Sequence, residues 1–531
     1  MTIRIRLQQE IDYMKRGDFL KEIFPPIDWK VFVGLLLFGY GVHSFRITQM
    51  INAADDIYNL LKGYGVGIPL GRWALEYLGN LIDWRWDIGS FNLSAFDGLI
   101  ALIFLSLSVC IILEIFGLQH EKKGIFFAAL FMAYPTCSAT FLFMFTAAYY
   151  GLSCLLAVLA AYYLKTHRFL LGLAAIVCIA VSLGLYQAYF PMTVTLCLLM
   201  VIDYFLKKDA DFKKGIQSGI YYVSVLCLGL IVYYAILNNR LEHFGKTLLS
   251  YKGIDSMGEL NIREIPGLIL KCYTSFLHLT TEQYHSINTL KVMRDGILIL
   301  FIANVIMVVC SMFRRTKWRS RIMILLTVFL FPVAVNLIEI MCPEGGIYEL
   351  TIYATVFVFL LPIVLWKNID VENGVRQVLH RALGLIIVLD LALMTVGYGW
   401  HANLNYVALD YMNRETESYF TTLVTRIKSA EGYHDEYQVL FAGDGLISDA
   451  HFQNPYSDYA GYLFECNPLS LVSGYAWRKA LTAYTGFFYA APSQDEMEII
   501  YGTEEFRGMS VYPDDGSIRV IDEVIVIKIS E

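Results

Sequence analysis

Two adjacent aspartates, Asp55 and Asp56, are the most informative chemical feature of the sequence. They follow the first long apolar run, within the segment 52–58. Neighbouring carboxylates repel each other and are costly to dehydrate unless a proton, a cation or a hydrogen-bond donor uses them. One of them could act as a general base toward a hydroxyl group while the other holds a divalent cation. The alternative is a solvated turn, in which aspartate is common.

A basic and aromatic group, Gly71-Arg72-Trp73, lies in the same connection. An arginine beside an aromatic ring at the level of lipid headgroups could bind the phosphate of a lipid donor with two hydrogen bonds, while the Trp73 ring packs on the isoprenoid or the sugar of that donor. His43 and Arg46 lie roughly two to three helical turns before Asp55 if the first helix continues, and we assign them to the same phosphate. The simpler alternatives are an interfacial anchor pair at residues 72–73 and side chains that snorkel at residues 43 and 46.

Polar side chains recur in two later turns, residues 186–189 and 341–350, and neither turn contains lysine or arginine. Their hydroxyl, amide and carboxylate groups could line a polar cavity and bind a polar substrate or a cation. The alternative is that the aromatic residues belong to the belts found at membrane interfaces whatever the function. We assign these candidate substrate-binding residues: Tyr186, Gln187, Tyr189, Glu344, Tyr348 and Glu349.

The composition places most of the chain in lipid. Of 531 residues, 57% are hydrophobic and 17% are charged, whereas soluble domains have about 25% charged residues. The net charge of −7 argues against a nucleic-acid partner, which would require a basic face. The ten cysteines contain no CxxC pair and no metal-ligand spacing, so neither a disulfide framework nor a structural metal is expected.

Long apolar runs predict an all-α polytopic membrane bundle with about eleven transmembrane helices. Alternate connections, such as 165–168, 207–214 and 314–321, are rich in lysine and arginine and should face the cytoplasm. Because the number of predicted spans is odd, the N-terminus is expected inside and the C-terminus outside. The predicted spans are 30–50, 91–116, 124–145, 146–164, 169–186, 188–206, 215–237, 292–313, 322–341, 348–366 and 382–400.

Three regions are expected along the chain. Residues 1–28 are basic with helical apolar spacing, which predicts an amphipathic segment on the cytoplasmic surface. Residues 29–402 form the transmembrane domain, whose two long outer loops, 51–90 and 238–291, carry amphipathic stretches predicted as helices along the membrane. Residues 403–531 form a small extracytoplasmic α/β domain.

The predicted α/β domain contains alternating helical and strand patterns. An amphipathic helix is predicted over 411–429 and another around 494–506. Strands are predicted over 437–442, 518–521 and 523–529, the last two paired through a tight turn.

The order of these features resembles the GtrII-type glucosyltransferase family, polytopic membrane enzymes with the GT-C type of architecture. The resemblance lies in the acidic pair, Gly71-Arg72-Trp73, Tyr186-Gln187 and the closing stretch 509–528 with Pro513-Asp514-Asp515-Gly516-Ser517-Ile518. It implies transfer of a sugar from a polyprenyl-phosphate carrier on the outer leaflet to a surface glycan, often an O-antigen. By the same resemblance, Asp55 or Asp56 would be the base and Arg72 a phosphate contact.

We therefore expect an inverting glycosyltransferase of the bacterial cell membrane and cell envelope that uses a polyprenyl-phosphate sugar, with glucose the expected sugar, and a surface glycan acceptor. Membrane lipid is the other expected partner, and a divalent cation cofactor stays open. The alternatives are a lipid-linked oligosaccharide flippase and a non-catalytic scaffold for envelope assembly. Most ionisable residues of the spans lie near span ends, with Asp390 the clearest exception, which favours the enzyme over a coupled carrier.

Overall fold

The protein divides into two compact units. The computed structural model describes residues 23–60, 65–86, 93–250, 263–282, 284, 287–314, 318–345, 347–369, 375–443, 471–472 and 474–530. The first unit comprises Met1–Gln49 and Leu61–Asn403, and the second comprises Met50–Leu60 and Leu404–Glu531. Residues 1–22 of the predicted amphipathic segment 1–28 lie outside the described residues. The division into 1–28, 29–402 and 403–531 stays a prediction.

Within the described part of the chain, nine helical segments are long and apolar enough to cross a membrane. Their bounds are Trp29–Thr48, Ser94–Phe116, Lys122–Leu142, Met144–Lys165, Gln187–Phe205, Phe212–Phe244, Lys291–Met312, Trp318–Val335 and Gln377–Lys428. Two shorter apolar helical segments, Phe169–Leu185 and Tyr353–Lys367, lie where the fifth and tenth spans are predicted. The mostly helical membrane architecture is therefore confirmed, whereas the count of eleven spans and the outward placement of the tail stay predictions.

Three of the predicted spans are broken helices. The third breaks at Tyr134 because Pro135, which begins the next helix, lacks an amide hydrogen and has a fixed φ. The sixth begins with a 3-10 turn, and the tenth begins with two of them. The parts are Lys122–Ala133 and Pro135–Leu142; Gln187–Tyr189 and Phe190–Phe205; Glu349–Thr351, Tyr353–Val358 and Leu361–Lys367. Such irregular backbone is tolerated at membrane depth only where other protein surrounds it.

The broken helices meet one another inside the first unit. The 3-10 turn Glu349–Thr351 packs against both Gln187–Tyr189 and the helix Pro135–Leu142. Backbone groups that leave the regular helical pattern need other partners, and one is supplied by the Thr136 hydroxyl, which donates to the Glu349 carbonyl at 2.8 Å. This arrangement brings the two predicted polar turns, 186–189 and 341–350, together beside the helix Pro135–Leu142.

Small residues and serines hold the neighbouring helices in register. A Cβ added at Gly151 would lie 3.1 Å from the Cα of Ala101, so the helices Met144–Lys165 and Ser94–Phe116 approach at van der Waals distance. Between Met144–Lys165 and Phe169–Leu185, the Ser153 hydroxyl donates to the Ser182 carbonyl and the Ser182 hydroxyl to the Ser153 carbonyl, each at 2.9 Å. These bonds fix the helix segments next to Tyr150 and Tyr186.

Both predicted long loops, 51–90 and 238–291, contain the predicted helices. The helix Trp73–Trp86 follows a 3-10 turn at Ile68–Leu70, and the second loop contains the helix Ile265–Thr281. Ala74 and Leu75 are buried against Leu185, so the helix Trp73–Trp86 packs on the protein through its apolar face. The location of both helices along a membrane surface stays a prediction.

The second unit contains a three-stranded sheet, with β1 at Gln438–Ala442, β2 at Ile518–Ile521 and β3 at Val524–Lys528. The order is β1-β3-β2, with β3 parallel to β1 and antiparallel to β2. Residues 524–527 of the central strand are all buried, as expected where both faces of a strand are covered. The three predicted strands are thus confirmed.

The helices of the second unit differ in extent from the prediction. The predicted span 382–400 and the predicted helix 411–429 are one continuous helix, Val375–Lys428, because neither glycine nor proline lies between residues 401 and 410. The helix predicted around 494–506 is two, Gln494–Gly502 and Glu504–Arg507, since the Thr503 side chain caps the second. Among the described residues, the remaining short helices are Ala54–Tyr58, Ile338–Met341 and Trp477–Thr485.

Candidate functional site

Arg72 lies in a polar cluster of the first unit with Tyr150, Tyr186 and Tyr348, here called the Arg72 cluster. The Arg72 Nη1 donates to the Tyr150 hydroxyl at 3.0 Å, and its Cζ lies 5.0 Å from the centre of the Tyr186 ring. The rings of Tyr150 and Tyr186 stack at 4.2 Å, and the hydroxyls of Tyr186 and Tyr348 are 3.4 Å apart. An arginine that stacks on one ring and bonds to another keeps its charge in a defined position.

The backbone that precedes Arg72 is fixed by a second set of hydrogen bonds. The Gln187 amide nitrogen donates to the Leu70 carbonyl at 2.8 Å, and the Tyr233 hydroxyl donates to the Gly71 carbonyl at 3.1 Å. Gly71 has a φ of +72°, and a Cβ there would lie 2.6 Å from both the Gln187 amide nitrogen and the Tyr233 hydroxyl. Only glycine combines this φ with the absence of a side chain. The local sequence therefore determines the direction in which Arg72 points.

Trp73 begins the helix that follows and packs on protein. A Cβ at Gly184 would lie 2.6 Å from the Trp73 Cε2 atom, so the indole lies directly against the end of the helix Phe169–Leu185. Leu78 and Tyr149 pack around the same apolar group. The donor-binding role assigned to Trp73 stays a prediction, and its indole ring supports the start of the helix beside Arg72.

The other residues assigned from the later turns fall into different surroundings. Gln187 joins the backbone network described above. Tyr189 is fully buried, with its ring centre 5.7 Å from that of Tyr186, so it packs behind the cluster. Glu349 is buried at the first position of its 3-10 turn, whereas Glu344 is exposed. Their roles in binding a sugar or cation stay predictions.

One further group in that turn, Cys342, is not available as a nucleophile at neutral pH. Burial raises the pKa of its thiol to about 11, and only the thiolate attacks or binds a metal ion. The polar chemistry of this region therefore depends on hydroxyl, amide, carboxylate and guanidinium groups.

His43 and Arg46 are both fully buried near the end of the first span. The His43 Nε2 donates to the Met132 carbonyl at 2.8 Å, and its ring centre lies 4.7 Å from that of Phe141. A histidine that donates to a backbone carbonyl from inside a helix bundle is typical of a structural role. The phosphate-binding roles assigned to both residues stay predictions.

Asp55 and Asp56 belong to the second unit and differ in exposure. Both lie on the short helix Ala54–Tyr58, where Asp56 is fully buried and its Oδ2 accepts from the Ala53 amide at 3.5 Å. Asp55 is half-buried, and its Oδ1 accepts a hydrogen bond from the Tyr475 hydroxyl. Of the two carboxylates, Asp55 is therefore the one that a substrate can approach from solvent.

Residues far along the chain hold the aspartate segment in place. The Asn52 amide donates to Asn413 Oδ1 and the Asn413 Nδ2 donates to the Asn52 carbonyl, each at 2.9 Å. The Lys479 ammonium, on the helix Trp477–Thr485, donates to the Tyr58 carbonyl at 2.8 Å. The aspartates are thus positioned by the same unit that contains the sheet.

The described residues contain no group of three or more histidine, cysteine, aspartate or glutamate side chains placed to hold a metal ion. A divalent cation at Asp55 and Asp56 stays a prediction.

Four tyrosine and lysine residues of these sites have no evident sequence signal: Tyr150, Tyr233, Tyr475 and Lys479. Tyr150 and Tyr233 lie inside apolar helices, where tyrosine is unremarkable on composition alone. The signal that could indicate Tyr150 and Tyr233 is indirect. The Arg72 guanidinium and the irregular backbone at Gly71 both require hydrogen-bond partners, and a tyrosine hydroxyl in a neighbouring helix can supply one.

The apolar helices and the buried polar clusters define a polytopic membrane protein. The family model described as glucosyl transferase GtrII matches residues 45–366. Since this range is more than half of the chain, the protein belongs to the GtrII glucosyltransferase family, and the resemblance found in the sequence is confirmed. Membership implies glucosyltransferase activity. No curated protein and no solved structure matches the chain.

Proposed function

We propose that the protein transfers a sugar, expected to be glucose, from a polyprenyl-phosphate carrier to a cell-surface glycan. The family supplies the class of reaction. The observation that carries the donor assignment is the Arg72 cluster, in which the guanidinium is bonded to the Tyr150 hydroxyl and stacked on the Tyr186 ring. All four residues of the Arg72 cluster lie inside the range matched by the family model.

Arg72 is proposed to bind the phosphate of the donor. A guanidinium presents several N–H donors in one plane, which suits the oxygens of a phosphate. When the bond between the sugar and the phosphate breaks, negative charge grows on the phosphate, and a positioned cation stabilises that charge without having to move. The hydroxyls of Tyr150 and Tyr186 supply further donors beside it. The isoprenoid tail of the donor is apolar and is expected to stay in the bilayer. The phosphate and the sugar are polar and therefore need polar partners in this unit.

Asp55 is proposed as the general base. It is half-buried with one oxygen held by Tyr475, whereas Asp56 is fully buried. The free oxygen of Asp55 accepts the proton of the acceptor hydroxyl, that hydroxyl forms a new bond to the anomeric carbon, and the polyprenyl phosphate leaves. A single displacement of this kind inverts the configuration at the anomeric carbon. Asp56 is proposed to support this segment and stays a candidate cation ligand.

The reaction is proposed to take place outside the cytoplasm of a bacterial cell. The basic connections at 165–168 and 207–214 support cytoplasmic turns. With an odd number of spans, the N-terminus is cytoplasmic and the C-terminal α/β domain, residues 403–531, is extracytoplasmic. Surface glycans are then accessible as acceptors.

The test is transfer by the full-length protein in proteoliposomes supplied with a radiolabelled polyprenyl-phosphate hexose and an acceptor glycan. Arg72→Gln should lower kcat/KM for the donor by about a hundredfold, since a charge-assisted contact to the departing phosphate is lost. Arg72→Lys should fall between Gln and the original, because the charge is kept but the paired donors are not. Arg240→Gln, at an exposed arginine of the same unit, is the matched control. Unchanged transfer by Arg72→Gln would overturn the donor assignment.

One observation favours a second candidate, the movement of a lipid-linked sugar across the membrane. Asp390 lies inside the helix Val375–Lys428 and is only 6% exposed, and its Oδ2 has no hydrogen-bond partner among the described residues. Coupled carriers often place a carboxyl group at such a depth. Lipid movement that is lost in Asp390→Asn, with no sugar transfer by the original protein, would favour this candidate.

A further inference from the structure

Two exposed aromatic rings lie beside Asp55 on the second unit. Tyr58 is 41% exposed and Tyr475 is 58% exposed. Their ring centres are 5.5 Å apart with an angle of 67° between the planes, which is an edge-to-face pair. The two rings, together with Asp55 and Lys479, are here called the Tyr58–Tyr475 surface.

The geometry of this pair leaves ring surface open. In an offset stack each ring covers a face of the other, whereas an edge-to-face pair covers a face of only one ring. The Lys479 ammonium lies 3.7 Å from the centre of the Tyr58 ring, so one face of Tyr58 is already occupied by a cation. Tyr475 is the more exposed of the two side chains, so it is the ring that a ligand can reach more easily.

The groups around the rings are polar and of opposite charge. Asp55 accepts from the Tyr475 hydroxyl at one side, and Lys479 lies on Tyr58 at the other. A sugar ring presents C–H groups on its faces and hydroxyls around its edge. It therefore matches an aromatic ring flanked by a carboxylate, which accepts from hydroxyls, and an ammonium, which donates to them. A lipid chain or an apolar protein helix would displace water from these charged groups without hydrogen-bonding to them.

We propose that the Tyr58–Tyr475 surface binds the acceptor glycan, with a sugar ring against Tyr475 and one of its hydroxyls directed to Asp55. This inference rests on the proposed function, in which Asp55 takes the proton of the acceptor hydroxyl. It adds a binding site formed partly by residues beyond the matched range 45–366. Acceptor choice is accordingly a property of the second unit.

Tyr475 has two separable parts in this proposal. Its ring contacts the sugar, and its hydroxyl holds the Oδ1 atom of Asp55. Tyr475→Phe keeps the ring and removes the hydroxyl, so it should leave acceptor binding intact and lower kcat. Tyr475→Leu removes both, so it should weaken acceptor binding as well. Because the side chain is more than half exposed, neither change should unfold the unit.

Binding is measured first, without turnover. The probe is a set of short oligosaccharides released by mild acid from the surface polysaccharide of the source cell, added to the full-length protein in lipid nanodiscs. Saturation-transfer NMR should show contact with the original protein, and Tyr58→Leu and Tyr475→Leu should each weaken binding about tenfold, as expected for one aromatic contact. Tyr58→Phe and Tyr475→Phe should bind like the original. Tyr501→Leu, at another exposed tyrosine of this unit, is the control.

Transfer kinetics then separate the two proposals. Tyr58→Leu and Tyr475→Leu should raise KM for the acceptor and leave KM for the polyprenyl-phosphate donor unchanged. Undiminished oligosaccharide binding in both leucine variants, or no binding by the original protein, would overturn the acceptor site. Lost binding in the leucine variants without any sugar transfer by the original protein would retain the acceptor site and overturn the proposed enzyme activity instead.

Discussion

Asp55 and Asp56 are adjacent in the sequence but differ in burial, so they can have different roles. On the helix Ala54–Tyr58, Asp56 points into the unit and accepts from the Ala53 amide, while Asp55 meets the hydroxyl of an exposed tyrosine. Successive helical residues point about 100° apart, so such a short helix separates adjacent side chains. The repulsion expected of the pair is thereby reduced, and Asp55 keeps access to solvent.

Asp55→Asn and Asp56→Asn should therefore fail in different ways. Asp55→Asn should lower kcat by about a hundredfold to ten-thousandfold, the usual contribution of a general base, with an unchanged unfolding temperature. Asp56→Asn should lower the free energy of unfolding by about 1–3 kcal/mol, because a buried charge-assisted hydrogen bond is weakened. Initial transfer rates and thermal unfolding in nanodiscs measure both effects. A fully active Asp55→Asn beside an inactive but stable Asp56→Asn would exchange their roles.

Gly71 offers a test of how the Arg72 cluster is positioned. Gly71→Ala should raise KM for the donor at least about tenfold, since its Cβ would displace Gln187 or Tyr233 and a left-handed φ costs an alanine about 1–2 kcal/mol. Gly117→Ala is the matched control, because Gly117 has a φ of +62° with no atom within 4 Å of its Cβ position. Both variants should lose similar stability, and only Gly71→Ala should lose donor affinity. Equal donor KM in the two variants would contradict the clash.

Part of the site could be predicted from the sequence. Arg72, Tyr186, Gln187 and Tyr348 do meet, because each lies in a turn where polar residues interrupt an apolar run. The partners of these residues could not be predicted. Tyr475 reaches Asp55 across 420 positions, and no local pattern carries information about such a contact.

At the scale of elements, the broken helices show what apolar runs do not predict, namely where a helix is interrupted. A hydropathy window records composition, whereas a break depends on single residues such as Pro135, which begins a helix, or Gly117, which ends one in a left-handed conformation. The strands of the sheet are easier to predict, because the apolar segments 437–442 and 523–529 are short and the second is rich in valine and isoleucine. The continuous helix Val375–Lys428 was missed because its middle is polar while its backbone is uninterrupted.

The helix Ile265–Thr281 is held to the rest of the first unit by a polar group. The Lys271 ammonium lies 2.7 Å from the Glu339 carboxylate, and the Ser275 hydroxyl donates to the same carboxylate at 2.6 Å. The Asn336 amide donates to the Cys272 carbonyl at 3.1 Å. Because Glu339 is almost fully buried, its charge depends on these partners.

Removing Lys271 should therefore destabilise the helix more than removing the whole ion pair. Lys271→Met should lower the free energy of unfolding by about 1–2 kcal/mol, a value reduced by the half-exposed ammonium. The double variant Lys271→Met with Glu339→Leu should recover part of that loss, since no buried carboxylate is left without its cation. Thermal unfolding and hydrogen exchange over residues 265–281 measure the effect. A double variant less stable than the single one would show that the pair contributes more than it costs to bury.

At the scale of the whole molecule, the second unit is formed by two segments that lie far apart in the sequence. The segment Met50–Leu60 lies within the matched family range, but it folds with Leu404–Glu531, which lies beyond that range. Asp55 and Asp56 are consequently positioned by a part of the chain that lies beyond the range matched by the family model. Changes in that part should reach the chemistry of Asp55.

Asn413 is the residue at which this dependence can be measured. Asn413→Ala removes both hydrogen bonds to the Asn52 backbone and the bond from the Tyr484 hydroxyl, each worth about 1 kcal/mol when buried. Transfer should fall about tenfold as the aspartate segment loosens, while KM for the donor stays unchanged. Asn403→Ala, on the same helix but bonded to Val42 in the first unit, is the control. A loss of donor affinity in Asn413→Ala would contradict the assignment of the donor site to the first unit.

The proposed orientation of the chain makes a prediction for fusion proteins. Lys207, Lys208, Lys213 and Lys214 border one connection, and such clusters are retained in the cytoplasm because moving them across the membrane is unfavourable. An alkaline phosphatase fused after Lys208 should therefore be inactive, whereas fusions after Lys246 and after Glu531 should be active, since the enzyme folds only outside the cytoplasm. Green fluorescent protein at the same positions should give the opposite pattern. An inactive phosphatase at Glu531 together with an active one at Lys246 would mean an odd number of spans between them, with Glu531 in the cytoplasm. Since Asp55 folds in the same unit as the C-terminal sheet, that result would contradict the proposed extracytoplasmic reaction.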